Sequence, residues 1–258
     1  MSERKNQTIK GAKSSITGED ITKPRMLVVE PIPDADPANP HEVFRSHLKK
    51  EDLGKSSSSC RLSFLTRPHR KSMVQEIWCQ SFEEKEVVMN VAANPEVLAF
   101  REQAVRVDYL EGATKHHTRV DLHVAMQDGT KRLVSTKYDE KARRQSYRDE
   151  VKAIALQCPR EVADRFVVVS RYSFHPVYRA CAEAIHYARL GWDPEADRIV
   201  LEAANDNPSE FTFGDLVEKS RLGARGFRAA VRLIGDGDIF KPKLAPIAND
   251  TVCRGTSK

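Results

Sequence analysis

The chain has 258 residues, of which 40% are hydrophobic and 31% charged, a composition typical of a globular protein with one large domain or two modest ones. No stretch approaches the roughly 20 consecutive apolar residues that a membrane-spanning helix needs, which argues against a membrane protein. Five widely spaced cysteines without a CxxC pair argue against a disulfide framework or a zinc ribbon. The net charge is +5, and residues 1–75, with 14 basic and 9 acidic side chains, carry the whole excess.

The first 71 residues are predicted to form a basic, largely disordered arm. Within residues 1–60, five prolines and the run Ser56–Ser59 interrupt a segment whose apolar residues are too sparse to offset the entropy of ordering. One short island, Met26–Val29, is a candidate edge strand. Residues 1–13 are polar and basic without an apolar run behind them, so we expect no secretory signal and a cytoplasmic protein. The arm is either a phosphate-binding segment or an ordinary solvated tail.

Residues 72–191 have the pattern of a compact α/β domain, with a mixed sheet flanked by helices. Helices are predicted over 72–92, 141–156 and 176–189, and strands over 97–100, 104–110, 119–126, 132–138 and 166–170. The strand over 119–126 alternates apolar and polar residues, and Asp128-Gly129 is a strong signal for a turn that joins it to the next strand.

Residues 192–258 are predicted to form a second, smaller domain that resembles a winged helix. Asp193-Pro194 has the cap-then-proline pattern of a helix start. Two more helices, over 213–219 and 224–234, surround a short turn, and Ile239-Phe240 is a candidate strand. Three helices followed by a small strand have the outline of a winged helix.

Three ionisable residues of the first domain are candidates for catalysis. Glu84 lies on the first predicted helix, Asp121 on the outgoing strand of the hairpin and Lys137 on the returning strand. Two facing carboxylates can hold Mg²⁺ or Mn²⁺, and such an ion polarises a scissile phosphate and lowers the pKa of bound water. A nearby lysine can stabilise developing negative charge.

The turn decides whether these residues meet. A two-residue turn at Asp128-Gly129 pairs Asp121 with Thr136 and turns Lys137 to the opposite face of the sheet. A three-residue turn, with glycine in the left-handed conformation, pairs Asp121 with Ser135 and places Lys137 on the same face. Both turns suit Asp-Gly, so the sequence leaves the register open.

Short motifs in residues 75–240 resemble those of the TnsA family, the transposon-end endonucleases with a PD-(D/E)xK nuclease fold. Their order is as follows: Ser81-Phe82-Glu83-Glu84, then Asn94-Pro95-Glu96-Val97, then Phe100-Arg101-Glu102-Gln103-Ala104, then Thr118-Arg119-Val120-Asp121-Leu122, and finally Ser135-Thr136-Lys137. The resemblance implies a restriction-endonuclease-like core and a C-terminal domain that contacts DNA or an ATPase partner. It favours Glu84 over Glu83 as the helix ligand.

The resemblance implies a Mg²⁺- or Mn²⁺-dependent endonuclease subunit of a heteromeric transposase. Such a subunit cuts double-stranded DNA at transposon 5′ ends beside a DDE-type transposase and an AAA+ ATPase. Glu84 and Asp121 would bind the metal, and Lys137 would act on the nucleophile or the transition state. Ser135 stands where the family has a carboxylate or glutamine, so it would be a weak metal ligand.

Several basic residues are candidates for DNA contacts. They are Lys131, Arg143 and Arg144 in the first domain, and Arg225, Arg228 and Arg232 along one side of the last helix. His123 shares the face of Asp121 and is interpreted as a structural histidine. Two alternative functions stay open: a catalytically impaired nuclease-fold subunit that binds DNA or partners, motivated by Ser135, and a winged-helix DNA-binding regulator.

Overall fold

The computed structural model describes residues 32–39, 41–49, 53, 60–207 and 209–256. It is a mixed α/β structure whose sheets are flanked by helices. The strands are β1 (Val43–Phe44), β2 (Leu62–Thr66), β3 (Val74–Cys79), β4 (Val97–Glu111), β5 (Thr114–Met126), β6 (Lys131–Thr136), β7 (Arg165–Val169), β8 (Phe211–Thr212), β9 (Ile239–Phe240) and β10 (Val252–Gly255). The helices are α1 (Phe82–Ala92), α2 (Asp139–Ala142), α3 (Gln145–Gln157), α4 (Pro176–Leu190), α5 (Pro194–Asn205), α6 (Phe213–Ser220) and α7 (Ala224–Gly235).

The central sheet has the strand order β4-β5-β6-β7, with β7 parallel to β6 and the other pairs antiparallel. One hydrophobic cluster packs α1 and β3 onto this sheet, and includes Ile77, Val87, Phe100 and Leu122. A second cluster packs α3 against β4 and β6 through Ile154, among others. The sheet is therefore covered by α1 and β3 through one cluster and by α3 through the other. Its strands position the candidate catalytic residues.

The second sheet corrects two predictions for the first 80 residues. The helix predicted over 72–92 is wrong before Ser81, because residues 74–79 form β3, which pairs with β2 and β1. Val74 and Ile77 fit a helical period, but pairing with Leu62–Thr66 holds them in a strand. The prediction of a largely disordered arm is also wrong for the described part of residues 1–71. There β1 and β2 belong to this sheet, and Leu48 and Leu53 are buried. The candidate strand at 26–29 lies outside the described residues.

Other elements differ in their bounds. The two strands predicted over 97–100 and 104–110 are one strand, β4, which has an irregularity between Glu102 and Val105 where Gln103 has a φ of 44°. The helix predicted over 141–156 is two helices, because the backbone of Arg144 is extended between α2 and α3. The predicted strand over 166–170 is β7, which is half-buried and pairs with β6 alone among the described strands.

The C-terminal unit contains α5, α6 and α7 and a three-stranded antiparallel sheet with the order β8-β10-β9. The predicted helix starts are confirmed here: the Asp193 carboxylate accepts a hydrogen bond from the Ala196 N–H at 3.1 Å. Thr212 caps α6 in the same way, because its hydroxyl accepts a hydrogen bond from the Asp215 N–H. A separate apolar core, which includes Phe213, Leu216 and Leu233, holds the three helices together.

A buried network of charged side chains, here called the ionic seam, connects this unit to the first domain. Its members are Arg70, Arg189, Asp197, Arg232, Asp236 and Asp238. Arg189 Nη2 lies 2.7 Å from Asp236 Oδ1, and Arg70 Nη1 lies 2.7 Å from Asp236 Oδ2. Arg189 also donates hydrogen bonds to the carbonyl oxygens of Ala92 and Gly235, so one side chain contacts both units.

In the described residues, no helix is both long enough and apolar enough to cross a lipid bilayer.

Candidate active site

The hairpin between β5 and β6 has the three-residue turn. Leu122 pairs with Val134 and His123 with Leu133, a register that places Asp121 opposite Ser135. Met126 and Thr130 close the turn, because the Met126 N–H donates to the Thr130 carbonyl at 2.9 Å. Gly129 adopts a φ of +81°, the left-handed conformation that this turn requires. Of the two registers open at the sequence level, the structure therefore has the one that puts Asp121, Ser135 and Lys137 on one face.

These three side chains form one hydrogen-bonded group. Asp121 Oδ2 accepts hydrogen bonds from the Thr136 N–H at 2.6 Å and from the Ser135 hydroxyl at 3.2 Å. Lys137 Nζ donates to Ser135 Oγ at 3.2 Å and to the Thr136 carbonyl at 3.1 Å, and lies 3.8 Å from Asp121 Oδ2. The Asp121 side chain is 17% exposed and that of Lys137 is 26% exposed, so the group is partly sheltered but still accessible from solvent.

The helix α1 brings a second carboxylate to the group. Ser81 caps this helix by accepting a hydrogen bond from the Glu84 N–H at 3.1 Å, and Glu84 Oε2 accepts one from the Gln80 N–H at 2.8 Å. Burial, followed by the negative charge of Asp121, raises the pKa of Glu84 to about 7, although Lys137 opposes this shift. The charges of Asp121 and Lys137 thus both act on Glu84, as the sequence interpretation requires. Glu83 points elsewhere, since its Oε1 accepts a hydrogen bond from the Arg171 N–H at 3.2 Å.

Asp121 is also held away from its ordinary titration range. Burial raises the pKa of Asp121, while the Lys137 ammonium and the hydrogen bonds from Thr136 and Ser135 act in the opposite direction. The site therefore contains two carboxylates and one ammonium group. This balance leaves an excess of negative charge that a divalent cation would neutralise.

The donor set fits a hard divalent cation. Glu84 and Asp121 offer carboxylate oxygens, the ligands that Mg²⁺ prefers, and the Ser135 hydroxyl is a weaker oxygen donor. In the described part of the chain, Asp121 accepts its hydrogen bonds from Ser135 and Thr136 at Oδ2, which leaves Oδ1 for a metal. Among residues 32–256, as far as the structure describes them, no group of three or more His, Cys, Asp or Glu side chains is arranged to hold a metal. Mg²⁺ commonly uses only one or two protein carboxylates together with water and substrate oxygens, so two carboxylates suffice.

Tyr147 is a member of the site that the sequence did not reveal. This buried residue of α3 donates its hydroxyl to Ser135 Oγ at 3.3 Å, and its ring lies 5.8 Å from Lys137 Nζ. The helix pattern places Tyr147 on an apolar stripe, where an aromatic ring is normally a core residue. Only the packing of α3 against β6 shows that the Tyr147 hydroxyl contacts Ser135, which in turn contacts Asp121 and Lys137.

His123 has a structural role. It is 1% exposed, and its Nε2 is 2.9 Å from the carbonyl oxygen of Val162. Burial lowers the pKa of His123, which favours the neutral ring. The interpretation of this residue as a hydrogen-bonded structural histidine is confirmed.

The basic residues predicted to contact DNA are of two kinds. Arg143 is 77% exposed at its side chain, Arg144 is exposed, and Lys131 and Arg228 are also accessible. Arg225 is exposed but binds Asp193 at 2.8 Å and Glu195 at 2.7 Å. Arg232 cannot contact DNA as predicted, because it is completely buried and its guanidinium lies 2.7 Å from Asp197.

The burial of Arg232 reflects a larger feature of α7. Gly226, Ala229, Ala230 and Leu233 are buried as well, and α7 packs against α4, α5 and α6. The exposed surface of the helix is confined to its first five residues. This geometry disfavours a helix that lies along the major groove and reads base edges.

Comparison of the sequence with protein-family models and with curated proteins gave no match.

Proposed function

We propose that the protein is a TnsA-like, divalent-metal-dependent DNA endonuclease that cuts at transposon 5′ ends as a subunit of a heteromeric transposase. The observation that carries this proposal is the hydrogen-bonded group of Asp121, Ser135 and Lys137, together with the influence of the Asp121 and Lys137 charges on Glu84. The motif order of the resemblance predicts this group, and the register of the β5–β6 hairpin supports it. The proposal assigns the first domain to the PD-(D/E)xK nuclease fold and the C-terminal unit to a winged helix.

In this mechanism, Glu84 and Asp121 would hold Mg²⁺ or Mn²⁺ through their carboxylate oxygens. The ion, when bound, polarises the scissile phosphate and lowers the pKa of a water molecule. Thr136 and Ser135 fix the orientation of the Asp121 carboxylate through hydrogen bonds to Oδ2. Lys137 presents a positive charge on the same face, where it would stabilise the charge that develops on the phosphate oxygens or orient the nucleophile.

The element order of the C-terminal unit supports the winged-helix assignment. A strand, β8, lies between the first two helices, and β9 and β10 follow the third helix as an antiparallel pair. Because most of α7 is covered, we assign this unit to partner contacts and nonspecific DNA contacts. Arg228 is the residue of α7 best placed for a phosphate contact, since it is exposed and Arg232 is not.

The test is a nicking assay on supercoiled DNA that carries transposon ends, with Mg²⁺ or Mn²⁺ and with the DDE-type transposase and AAA+ ATPase subunits present. We expect Asp121→Ala, Glu84→Gln and Lys137→Ala each to reduce the nicking rate by at least about 100-fold, the size of effect seen when one electrostatic group of an active site is removed. Asp149→Asn and Lys141→Ala are matched controls, because both positions are exposed on α3 and α2. Equal nicking by wild type and the three site variants would refute the assignment.

A second candidate function has one observation in its favour. The Ser135 hydroxyl is a neutral and short donor where the family has a carboxylate or glutamine, and it is already engaged with Asp121, Lys137 and Tyr147. A nuclease-fold subunit that binds DNA or partners without cutting would have such a weakened site. DNA binding without nicking, unchanged by Asp121→Ala and Lys137→Ala, would favour this function.

A further inference from the structure

Three exposed aromatic residues lie in segments that adjoin the candidate catalytic residues. Phe82, Tyr138 and Tyr172 are 64%, 64% and 66% exposed, which makes them the most exposed aromatic side chains in the described part of the chain. Phe82 is two residues before Glu84, and Tyr138 directly follows Lys137. Large rings left in water at one place on a surface typically mark an interaction site.

Hydrogen bonds connect the three segments that carry these rings. Tyr172 lies on the single helical turn Arg171–Ser173, which touches both other segments. The Arg171 N–H donates to Glu83, the neighbour of Phe82, and the Ser170 hydroxyl donates to Asp139, the neighbour of Tyr138. The same turn therefore anchors the start of α1 and the start of α2 beside the active site. We call the three rings and this turn the aromatic rim.

Positive charge accompanies the aromatic rim. The Arg171 guanidinium lies 5.2 Å from the centre of the Tyr172 ring and 3.6 Å from the Glu86 carboxylate, and its side chain is 43% exposed. Arg143 is 77% exposed, with one long contact of 3.5 Å to Asp139, and Arg144 beside it is exposed. Ion pairs at such exposure contribute little, so these guanidinium groups are available to a negatively charged ligand. Aromatic rings interleaved with basic groups are typical of surfaces that bind single-stranded nucleic acid.

We propose that the aromatic rim stacks against unpaired bases, so that the site takes a DNA strand that is frayed or single-stranded beside the scissile phosphate. This proposal rests on the proposed nuclease function for the identity of the ligand. The arginines would contact phosphates, and the rings would stack on bases. A ring can stack on a base only where the base has left its neighbours, whereas a fully paired duplex presents its phosphates and base edges to the rim.

The experiment measures DNA binding by fluorescence anisotropy in EDTA, so that cleavage plays no part. The probes are a fluorescein-labelled 20-nucleotide single strand, the fully paired duplex of the same sequence and a forked duplex with unpaired ends. We expect Phe82→Ala, Tyr138→Ala and Tyr172→Ala each to weaken binding of the single strand and the fork by about 5- to 100-fold, the usual effect of removing a stacking ring. Binding of the full duplex should change less than about 2-fold, because it contacts the rim mainly through phosphates.

Two controls separate stacking from charge. Tyr187→Ala removes a ring that is 58% exposed on α4, outside the rim, and should leave all three affinities unchanged. Arg143→Ala should weaken single strand and duplex by similar factors and reduce the salt dependence of both. A 2-aminopurine base in the single strand should lose fluorescence on binding to wild type and regain it with Tyr172→Ala, while Tyr172→Phe keeps the quenching.

The outcomes distinguish this proposal from the nuclease function. A protein that never nicks DNA but loses single-strand affinity in the ring variants would support the rim and refute the nuclease. An active nuclease whose ring variants bind all three probes like wild type would overturn the rim alone, and would assign the rings to a protein surface. Equal losses for single strand and duplex, or no binding of the single strand at all, would also overturn it.

Discussion

The candidate active site and the ionic seam are both clusters of charged side chains, but they differ in how the charges are balanced. The seam has three arginines and three aspartates, with Asp236 completely buried and Arg70 7% exposed at its side chain. Burial alone would raise the pKa of Asp236, yet the arginines and His69 around it hold that pKa below its ordinary value. In the active site, two carboxylates share one ammonium, and their pKa values are raised.

This difference in charge balance predicts different roles for the two clusters. A buried carboxylate that stays ionised because arginines surround it has its partners within the protein. In the candidate site two carboxylates share one ammonium, so negative charge exceeds positive charge. Burial is the main cause of the raised pKa values there and raises the pKa of Asp197 in the seam as well, so the charge balance and not the pKa shift distinguishes the two clusters. We therefore expect opposite responses when a carboxylate is removed from the two clusters.

The largest effect is expected in the seam. Asp236→Ala leaves Arg70 and Arg189 buried without their main partner, and breaking a buried ion pair in this way costs about 3–5 kcal/mol. The free energy of unfolding, measured by urea denaturation at pH 7.5, should fall by that amount. Asp250→Ala, at an exposed position near the C-terminus, should change it by less than about 0.5 kcal/mol. A loss below about 1 kcal/mol in Asp236→Ala would mean that the seam is not a structural cluster.

The next effect concerns acid stability beside the seam. His186 on α4 is buried and contacts the Thr66 hydroxyl at 3.3 Å, and burial followed by the charges of Lys85 and Arg189 lowers the pKa of His186 to about 4. In the unfolded chain the pKa of histidine is about 6.5, so between pH 6.5 and 4 the unfolded state binds more protons. The stability that the neutral ring contributes is present above pH 6.5 and is lost as the pH falls towards 4.

Urea denaturation between pH 7.5 and 4 measures this loss. We expect wild type to lose about 3 kcal/mol more than His186→Gln over this interval, since one pKa unit corresponds to about 1.4 kcal/mol and the folded-state histidine is half protonated at pH 4. His117→Gln, at an exposed position of β5, is the control and should follow wild type. Parallel pH profiles for wild type and His186→Gln would show that the histidine does not titrate in this range.

Removing a carboxylate from the candidate active site should raise the free energy of unfolding, whereas removing one from the seam should lower it. Glu84→Gln keeps an oxygen that accepts the Gln80 N–H, and it removes one of two neighbouring negative charges. In EDTA at pH 8 we expect the variant to be more stable than wild type by about 1 kcal/mol, less than the full pKa shift implies because the site is partly exposed. Mg²⁺ should stabilise wild type and leave the variant unchanged. A less stable variant in EDTA would place Glu84 with the structural carboxylates.

The sequence predicted the active site better than the seam because its residues are close along the chain. Asp121 and Lys137 belong to one hairpin, and alternation along a strand leaves only two registers to choose from. The choice required knowledge of the turn, in which Asp128 accepts the Thr130 N–H and Gly129 takes a positive φ. Glu84 was chosen through the resemblance, in the motif Ser81-Phe82-Glu83-Glu84, and the structure adds that Ser81 caps the helix.

The seam was not predictable from local patterns. Arg70, Arg189 and Asp236 are separated by more than 40 positions each, and only tertiary packing brings them together. The sequence predicts a DNA contact for Arg232 because an isolated arginine on a helix is normally exposed. Its partner, Asp197, lies on another helix, and the pairing permits the burial of both. The same reliance on periodicity made β3 look like the first part of a helix, since only its pairing with β2 distinguishes the two.

The smallest effect is expected for Tyr147, the member of the candidate site that only the structure revealed. Tyr147→Phe keeps the ring 5.8 Å from Lys137 Nζ and removes one hydrogen bond to Ser135. Because Ser135 keeps its contacts with Asp121 and Lys137, we expect a fall of about 3-fold in the nicking rate, which corresponds to about 0.6 kcal/mol in the barrier. Stability should change by about 0.5 kcal/mol, the lower end of the range for one hydrogen bond.

A double-mutant cycle with Ser135→Ala tests whether Tyr147 acts through the serine. If the tyrosine positions Ser135, the nicking rate of the double variant should equal that of Ser135→Ala, because the hydroxyl of Tyr147 then has no partner to orient. The two effects should multiply if Tyr147 instead acts directly on DNA or on Lys137. A Mn²⁺ titration of the same four proteins provides a second readout, since a positioning role predicts weaker metal binding in Ser135→Ala and an intermediate value in Tyr147→Phe.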